Sequence, residues 1–130
     1  IGSDGNDYFD GGNGNDSFVG GIGADTIIGG SGIDTLDYSQ SDAAINVNLA
    51  TGEASGGYAE GDVISGIEVV IGSSYNDTIV GSSANETFIA GVGASYIDAG
   101  GGIDLISYAN STAGINVNLT TGEASGGYAE

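Results

Sequence analysis

Aspartates recur every nine residues near the start of the chain, and this spacing is the feature with the clearest chemistry. The series, each member ending a six-residue glycine-rich stretch, is Asp7, Asp16, Asp25 and Asp34. Three full copies, GGNGNDSFV, GGIGADTII and GGSGIDTLD, cover residues 11–37, and a copy with a weaker start covers 2–10. Carboxylates are hard ligands suited to Ca²⁺, and glycine at positive φ can bring its carbonyl close to an ion. The chain has no His or Cys, which zinc and copper prefer, so the pattern indicates calcium.

The nine-residue period predicts stacked half-coils, each with a six-residue turn and a three-residue strand. Side chains alternate between the two faces of a strand, so the middle residue of each strand is expected to point inward. These inward residues are Phe9, Phe18, Ile27 and Leu36. Because two half-coils make one coil of 18 residues, Asp7 should stack on Asp25. Asp16 should stack on Asp34 in the same way. Two carboxylates and several main-chain carbonyls would supply the roughly six oxygens that suit Ca²⁺.

The nonapeptide run resembles the RTX (repeats-in-toxin) β-roll family of secreted proteases, lipases, alginate epimerases and long bacterial adhesins. The resemblance implies an all-β fold, a right-handed parallel β-roll or β-helix solenoid with Ca²⁺ ions in the turns. It also implies that an earlier turn gives its second and fourth carbonyls, a later turn its first and third, and both turns their Asp. One ion would be held by Ser3, Gly5, Asp7, Gly20, Ile22 and Asp25. The next would be held by Gly12, Gly14, Asp16, Gly29, Ser31 and Asp34.

A longer repeat is superimposed on the nonapeptides. Residues 1–60 align without a gap with 71–130 and are identical at more than half of the positions, including an unchanged TGEASGGYAE segment. Such self-similarity marks repeat architectures. We therefore divide the chain into a first 70-residue unit, 1–70, and a second, degenerate and truncated unit, 71–130. The first unit contains the nonapeptides, 2–37, followed by a different block, and we expect the chain to be a segment of a longer tandem array.

The block over residues 38–70 lacks clear nonapeptides. Alternation of Ile45, Val47 and Leu49 with asparagine predicts a half-buried strand, and Thr51-Gly52 indicates a turn. A diverged turn ending at Asp62, two further strands at 63–65 and 69–71, and a shortened turn at 66–68 should follow. The block, with its INVNL, GGYAEGD and SGIE segments, resembles one that is common between RTX runs in large secreted proteins. No segment of the chain predicts a helix.

The second unit has fewer ligands. Its turns end in Asp77, Glu86, Ser95 and Asp104. The pair of Asp77 and Ser95 has one carboxylate, whereas the pair of Glu86 and Asp104 keeps two. If coils are counted along the chain, Asp62 falls one coil before Asp77 on the same edge of the roll. The two carboxylates would then be in a position to share an ion. The weaker metal candidates are therefore Asp62, Asp77, Glu86 and Asp104, and the alternative is that these coils persist through packing without metal.

Charge and composition argue against several classes of function. The 130 residues include 18 acids and no Lys or Arg, giving a net charge of −18, which opposes compaction by self-repulsion. We expect disorder without calcium and folding with it, since ligand cages of this kind exist only in the folded state. Binding to nucleic acid needs basic residues, as does binding to anionic membranes, so neither is expected. Nucleophilic catalysis lacks a His or Lys base, so we expect no enzyme activity.

These observations predict a secreted, extracellular or cell-surface calcium-binding structural repeat module. It would belong to a long bacterial adhesin, surface-layer protein or filament that becomes a rigid rod on binding Ca²⁺, with neighbouring units or copies of itself as partners end to end. The alternative is a calcium-dependent accessory or polysaccharide-binding module attached to a secreted enzyme, with glycans as partners. An ice-binding roll would need a regular Thr/Asn ladder, and positions 8, 17, 26 and 35 are too irregular for one.

Overall fold

Short strands make up almost all of the regular structure in the computed structural model, which describes residues 1–110, 116–118 and 123–125. In chain order the strands are β1 (Tyr8–Asp10), β2 (Ser17–Phe18), β3 (Thr26–Ile28), β4 (Thr35–Asp37), β5 (Asn46–Asn48), β6 (Glu53–Ser55), β7 (Val63–Ser65), β8 (Val69–Ile71), β9 (Thr78–Val80), β10 (Thr87–Ile89), β11 (Tyr96–Asp98), β12 (Leu105–Ser107), β13 (Asn116–Asn118) and β14 (Glu123–Ser125). A single 3₁₀ turn, Gly57–Ala59, is the helical element in the described part of the chain. Within those residues no helix is long and apolar enough to cross a bilayer.

Successive nonapeptide strands go to two different sheets. One sheet has seven strands in the order β1-β3-β7-β6-β5-β9-β11, and the other has five in the order β12-β10-β8-β4-β2. Tyr8 lies opposite Thr26 in the first sheet, and Ser17 lies opposite Thr35 in the second. Both pairings are parallel and span 18 residues, which is the coil length that the sequence predicted. The predicted all-β fold is therefore confirmed, with parallel pairing of the nonapeptide strands.

The core lies between the two sheets, and middle residues of the strands within residues 1–110 supply most of it, together with Tyr38, Ile45 and Ile67. Ile27 and Leu36 are fully buried and Phe18 nearly so, as the alternation predicted. Phe9 is only half-buried, because β1 is the first strand of its sheet, and its ring meets that of Phe18 edge to face at 6.0 Å between centroids. The inward residues of the second unit continue the same row, with Ile79 and Phe88 fully buried and Ile97 and Ile106 partly buried against them.

An antiparallel hairpin interrupts the first sheet. β5 and β6 pair antiparallel, with Asn46 opposite Ser55, and β6 is also antiparallel to β7. β5 is parallel to β9 on its other side. The predicted roll is therefore not wholly parallel, although the predicted burial of Ile45 and Val47 is confirmed. β13 and β14 repeat the hairpin, with Asn116 opposite Ser125.

Both sheets cross the boundary between the two sequence units. β8 (Val69–Ile71) spans that boundary and lies between β4 of the first unit and β10 of the second. β5 and β9 make the equivalent connection in the first sheet. Residues on either side of the boundary therefore share one core.

Candidate metal centre

The acids that end the nonapeptide turns are stacked by main-chain hydrogen bonds. Each acid comes immediately before a strand, and its N–H donates to the acid stacked on it in the next coil. The N–H of Asp7 donates to Oδ1 of Asp25 at 2.9 Å. The N–H of Asp16 donates to Oδ1 of Asp34 at 2.8 Å. The structure thus brings together both pairs of carboxylates that the spacing predicted.

Three of these carboxylates keep one oxygen without a partner. The atoms concerned are Oδ2 of Asp16, Asp25 and Asp34, all buried and without a hydrogen bond. Asp25 and Asp34 are 1% and 0% exposed. A buried polar atom without a partner costs about 1–3 kcal/mol, and more when it is charged. These oxygens are therefore where the turns most need a cation.

Main-chain carbonyls of an earlier turn point at the turn stacked on it. A Cβ built on Gly21 would lie 2.5 Å from the carbonyl oxygen of Ser3, and one built on Gly23 would lie 2.6 Å from that of Gly5. Gly21 and Gly23 have φ of +102° and +144°, values that L side chains rarely adopt. The second and fourth carbonyls of the first turn thus lie against the turn that ends at Asp25, where the resemblance expects them to act as ligands.

The same arrangement recurs one half-coil later. The carbonyls of Gly12 and Gly14 lie against Gly30 and Gly32, too close for any side chain there. Gly12 also accepts a hydrogen bond from the N–H of Ser31 at 2.8 Å, and the Ser31 carbonyl accepts one from Gly14 at 2.8 Å. Each carbonyl has two lone pairs, so these bonds leave an oxygen lone pair for a cation.

The first carbonyl of a later turn points back toward the earlier one. A Cβ built on Gly11 would lie 2.6 Å from both the Gly29 carbonyl oxygen and Oδ2 of Asp16. The unpartnered carboxylate oxygen and the predicted ligand carbonyl thus border one space. Gly20 faces Gly2 in the same way on the other edge. Ile22, the remaining predicted ligand, lies in the turn that ends at Asp25 with its side chain half exposed.

The donor set at these turns consists of oxygens alone. Among the described residues, no group of three or more His, Cys, Asp or Glu side chains is gathered to hold a metal, so a cation here takes its remaining ligands from main-chain carbonyls. Paired carboxylates with carbonyls suit Ca²⁺, which takes about 6–8 oxygens in flexible geometry. The residues present therefore fit calcium.

Serine at the second turn position satisfies the acid from within its own turn. The N–H of Ser73 donates to Oδ2 of Asp77 at 2.7 Å, and its Oγ donates to Oδ1 at 2.6 Å. Ser82 bonds Glu86 with the same two groups. The turns with unpartnered oxygens have glycine at this position, namely Gly12, Gly21 and Gly30, all at positive φ. Sequence analysis missed this difference, although the change from Gly-Gly to Gly-Ser was its signal.

The first turn combines features of the turns with serine and the turns with glycine at the second position. It has Ser3 at that position. The Ser3 N–H donates to Oδ2 of Asp7 at 2.6 Å and its Oγ lies 3.1 Å from the same oxygen. Asp7 is nevertheless partly open to solvent, as is Asp16. A cation between Asp7 and Asp25 would therefore compete with the Ser3 hydrogen bonds for Asp7.

The weaker candidates of the second unit stack as the spacing predicted. The N–H of Asp77 donates to Oγ of Ser95 at 3.2 Å, and the N–H of Glu86 donates to Oδ1 of Asp104 at 2.9 Å. Asp77 and Glu86 are buried, and serine hydrogen bonds already satisfy them. Their need for a cation is correspondingly smaller than that of Asp25.

Asparagines at the fifth turn position add a second row of stacking bonds. Asn6 accepts a hydrogen bond from the N–H of Ala24 at 3.0 Å, and Asn15 accepts one from Ile33 at 3.0 Å. Asn76 does the same for Ala94 at 2.8 Å. These hydrogen bonds help to fix the register of the stacked turns, and none of them involves a metal ligand of the predicted sites.

The predicted sharing of an ion by Asp62 and Asp77 is wrong. Their strands, β7 and β9, are separated in the sheet by β6 and β5, and three strand spacings amount to about 14 Å. Asp62 instead stacks on Asp25, whose N–H donates to Oδ1 of Asp62 at 2.8 Å. Oδ1 of Asp77 accepts the N–H of Ile45 at 3.0 Å. Counting coils failed because the hairpin inserts two strands that have no turn acid.

The Tyr38 hydroxyl is the hydrogen-bond partner of the second carboxylate oxygen of Asp62. It donates to Oδ2 at 2.8 Å, in a buried setting. Burial, and then the neighbouring Asp62 carboxylate, raise the pKa of Tyr38 well above its ordinary value, so the phenol remains a donor. Burial also raises the pKa of Asp62, while the hydrogen bonds from Asp25 and Tyr38 act in the opposite direction. Both oxygens of Asp62 therefore have protein partners.

Glu68 is a stacked acid that sequence analysis did not assign to a site. It ends the three-residue turn before β8, and its Oε2 accepts the N–H of Asp34 at 2.9 Å. It therefore takes the place in the stack that an aspartate takes elsewhere. The signal was an acid immediately before a strand, as in each nonapeptide.

The comparison with known protein families matches this repeat. A family model made of four copies of the RTX calcium-binding nonapeptide repeat matches residues 1–36, 62–97 and 71–106, which together make up more than half of the chain. No curated protein matches the chain.

Proposed function

The chain belongs to the family of RTX calcium-binding nonapeptide repeats, and from this premise we propose that it is an extracellular module whose calcium-dependent folding builds a rigid rod. Its nonapeptide repeats bind calcium and it is a structural module of the kind found in secreted proteins. The rod, its place in an adhesin, surface-layer protein or filament, and its extracellular location are the proposal.

The observation that carries the proposal is the set of unpartnered carboxylate oxygens at Asp16, Asp25 and Asp34. Each is a buried oxygen with a second carboxylate in the adjacent coil. Like charges so close repel strongly in a low-dielectric setting, and the chain has no Lys or Arg to neutralise them. Divalent cations between coils would remove the repulsion and supply the missing partners, so binding would be coupled to folding.

Stacking of coils explains why the product would be a rod. Each coil pairs only with its sequence neighbours in the two sheets, as in a quasi-one-dimensional solenoid. β1 and β11 are the outer strands of one sheet, and β2 and β12 are those of the other. Further units, or further copies of the chain, would extend both sheets in the same direction by pairing with these outer strands.

Electron microscopy in Ca²⁺ tests this proposal on a chain carrying several 70-residue units. We expect rods whose contour length grows in proportion to the number of units. Compact globules that do not lengthen with unit number would contradict the rod and leave only the calcium-binding module.

A second candidate function is recognition of a polysaccharide, as an accessory module of a secreted enzyme. A polar groove of about 500 Å³ lies along the β5–β6 hairpin, lined by residues that include Asn46, Asn48, Thr51 and Glu53. Amide and hydroxyl groups of this kind can bond sugar hydroxyls. A glycan array probed in Ca²⁺ with the chain and with Asn48→Ala would support this function if one glycan class were retained and the substitution abolished it.

The proposal includes no enzymatic activity. The chain has no His, Lys or Cys, and each stacked carboxylate is engaged in the repeated turn contacts described above. A catalytic pair would differ from its neighbours, whereas these pairs recur with the nonapeptide period. The net charge of −18 likewise disfavours nucleic acid and anionic membranes as partners.

A further inference from the structure

Oδ1 of Asp34 accepts the N–H of Asp16, whereas Oδ2 lies beside Gly29, which also borders the short turn before β8. A Cβ built on Gly29 would contact both this oxygen, at 2.7 Å, and the carbonyl of Gly66. Asp34 is 0% exposed and its Oδ2 has no hydrogen bond. A fully buried carboxylate oxygen therefore shares its space with a carbonyl from the next coil.

This arrangement repeats the geometry of the preceding coil. There, Oδ2 of Asp16 and the carbonyl of Gly29 both lie against Gly11. The oxygen of Asp16 therefore belongs to the space between Asp16 and Asp34. By the same relation, the oxygen of Asp34 belongs to the next space along the stack, between the turn ending at Asp34 and the short turn, Gly66 to Glu68.

The short turn supplies further oxygens to that space. The Glu68 carboxylate stacks on Asp34 through the 2.9 Å bond from the Asp34 N–H to Oε2. Gly30 of the nonapeptide turn lies against the short turn, since a Cβ built on Gly66, at φ +62°, would lie 2.9 Å from the main-chain nitrogen of Gly30 and 3.3 Å from its carbonyl oxygen. A cavity of about 170 Å³, lined in part by Gly66, Glu68 and Glu86, lies beside the short turn and offers a route for an ion.

We propose a further calcium site between Asp34 and Glu68, with Oδ2 of Asp34, the Glu68 carboxylate and the carbonyls of Gly30 and Gly66 as its ligands. The site rests on the proposed function, since it uses the same cation. It differs from the nonapeptide sites because its second turn has three residues instead of six, and because its acids are 34 residues apart. The ion would hold the segment between Asp34 and Glu68, which contains the β5–β6 hairpin, against the nonapeptide coils.

Counting bound ions tests the site. Native mass spectrometry of the chain in saturating Ca²⁺ gives the number of ions, with circular dichroism as a check of folding. We expect Glu68→Gln to hold one ion fewer than the unmodified chain. Asp16→Asn should also lose one ion, and the double variant should lose two, because the two acids belong to different sites. Asp42→Asn, which removes one exposed charge away from the turns, is the matched control and should lose none.

An unchanged ion count in Glu68→Gln, or a double variant that loses no more than Asp16→Asn alone, would overturn the site. If Glu68→Gln does not fold, Glu68→Asp keeps a carboxylate one methylene shorter. That variant should then need at least threefold more Ca²⁺ for folding than Asp42→Asn, and an equal requirement would overturn the site. A chain that folds but binds no calcium at all would refute the proposed function as well, so the two failures are distinguishable.

Discussion

The main-chain N–H of Asp16 donates a hydrogen bond to Oδ1 of Asp34, 2.8 Å away and 18 residues along the chain. The bond sets the register of two coils and uses one oxygen of the acceptor. Oδ2 of both residues remains buried without a partner. One contact thus explains both the stacking of the coils and their need for a cation.

The sites should differ in how much folding depends on them. Asp25→Ala removes a buried carboxylate between two stacked acids, whereas Ser95→Ala removes one hydroxyl that accepts a 3.2 Å bond. The hydrogen bond that the Asp25 carboxylate accepts is of the charged kind, worth about 1.5–3 kcal/mol, and a loss of this size corresponds to roughly tenfold or more in the calcium midpoint of folding. Calcium titrations followed by circular dichroism should show this shift for Asp25→Ala and a smaller one for Ser95→Ala. Equal shifts would contradict the pairing.

Serine should replace part of the cation's role in the second unit. Ser73→Ala removes the hydroxyl that bonds Oδ1 of Asp77. Because Asp77 is buried, we expect the free energy of unfolding in saturating Ca²⁺ to fall by about 1–3 kcal/mol. Urea unfolding of this variant and of Ser74→Ala, whose side chain is exposed, gives the comparison. Identical stability of the two would show that the Ser73 hydroxyl does not support the turn.

Tyr38 should stabilise the block between the nonapeptide runs. Tyr38→Phe leaves Oδ2 of Asp62 buried without its donor, which should lower the free energy of unfolding by about 1–3 kcal/mol. Tyr8→Phe, at a position 68% exposed, is the control and should have almost no effect. The prediction fails if thermal or urea unfolding ranks the two variants equally.

Close approach of stacked turns should make some glycines irreplaceable. A Cβ on Gly23 would lie 2.6 Å from the Gly5 carbonyl at φ +144°, whereas a Cβ on Gly5 would meet nothing closer than 3.9 Å. A left-handed backbone costs a non-glycine residue about 1–2 kcal/mol before any clash is added. Gly23→Ala should therefore raise the calcium midpoint of folding strongly and Gly5→Ala only weakly. The reverse order would refute the backbone contact.

The period of the sequence was sufficient for the roll but not for the hairpin. Nine-residue spacing placed Phe18, Ile27 and Leu36 in the core because each nonapeptide is one half-coil. Asn46 to Asn48 alternates in the same way whether its neighbour is parallel or antiparallel, so strand direction and order there depend on tertiary pairing. That ambiguity produced the mistaken link between Asp62 and Asp77.

Glu68 was missed for a related reason. Its turn has three residues, so it falls outside the period that identifies the other acids. Its position before a strand is a weaker signal, and its hydrogen bond with Asp34 shows its place in the stack. The change from Gly-Gly to Gly-Ser marks the turns with Ser73 and Ser82, but the bonds these serines make depend on a turn backbone without positive φ at the second position. Local geometry decides such contacts, and the repeat pattern does not encode it.

The central claim is that calcium folds this chain, and circular dichroism with and without chelator tests it most directly. In chelator we expect the signal of an unfolded chain, because 18 acids face no basic residue. Millimolar Ca²⁺ should bring in β-sheet signal, and Mg²⁺ should substitute poorly because it demands tighter octahedral geometry and keeps its waters. A chain with the same β-sheet signal in chelator as in Ca²⁺ would contradict the account.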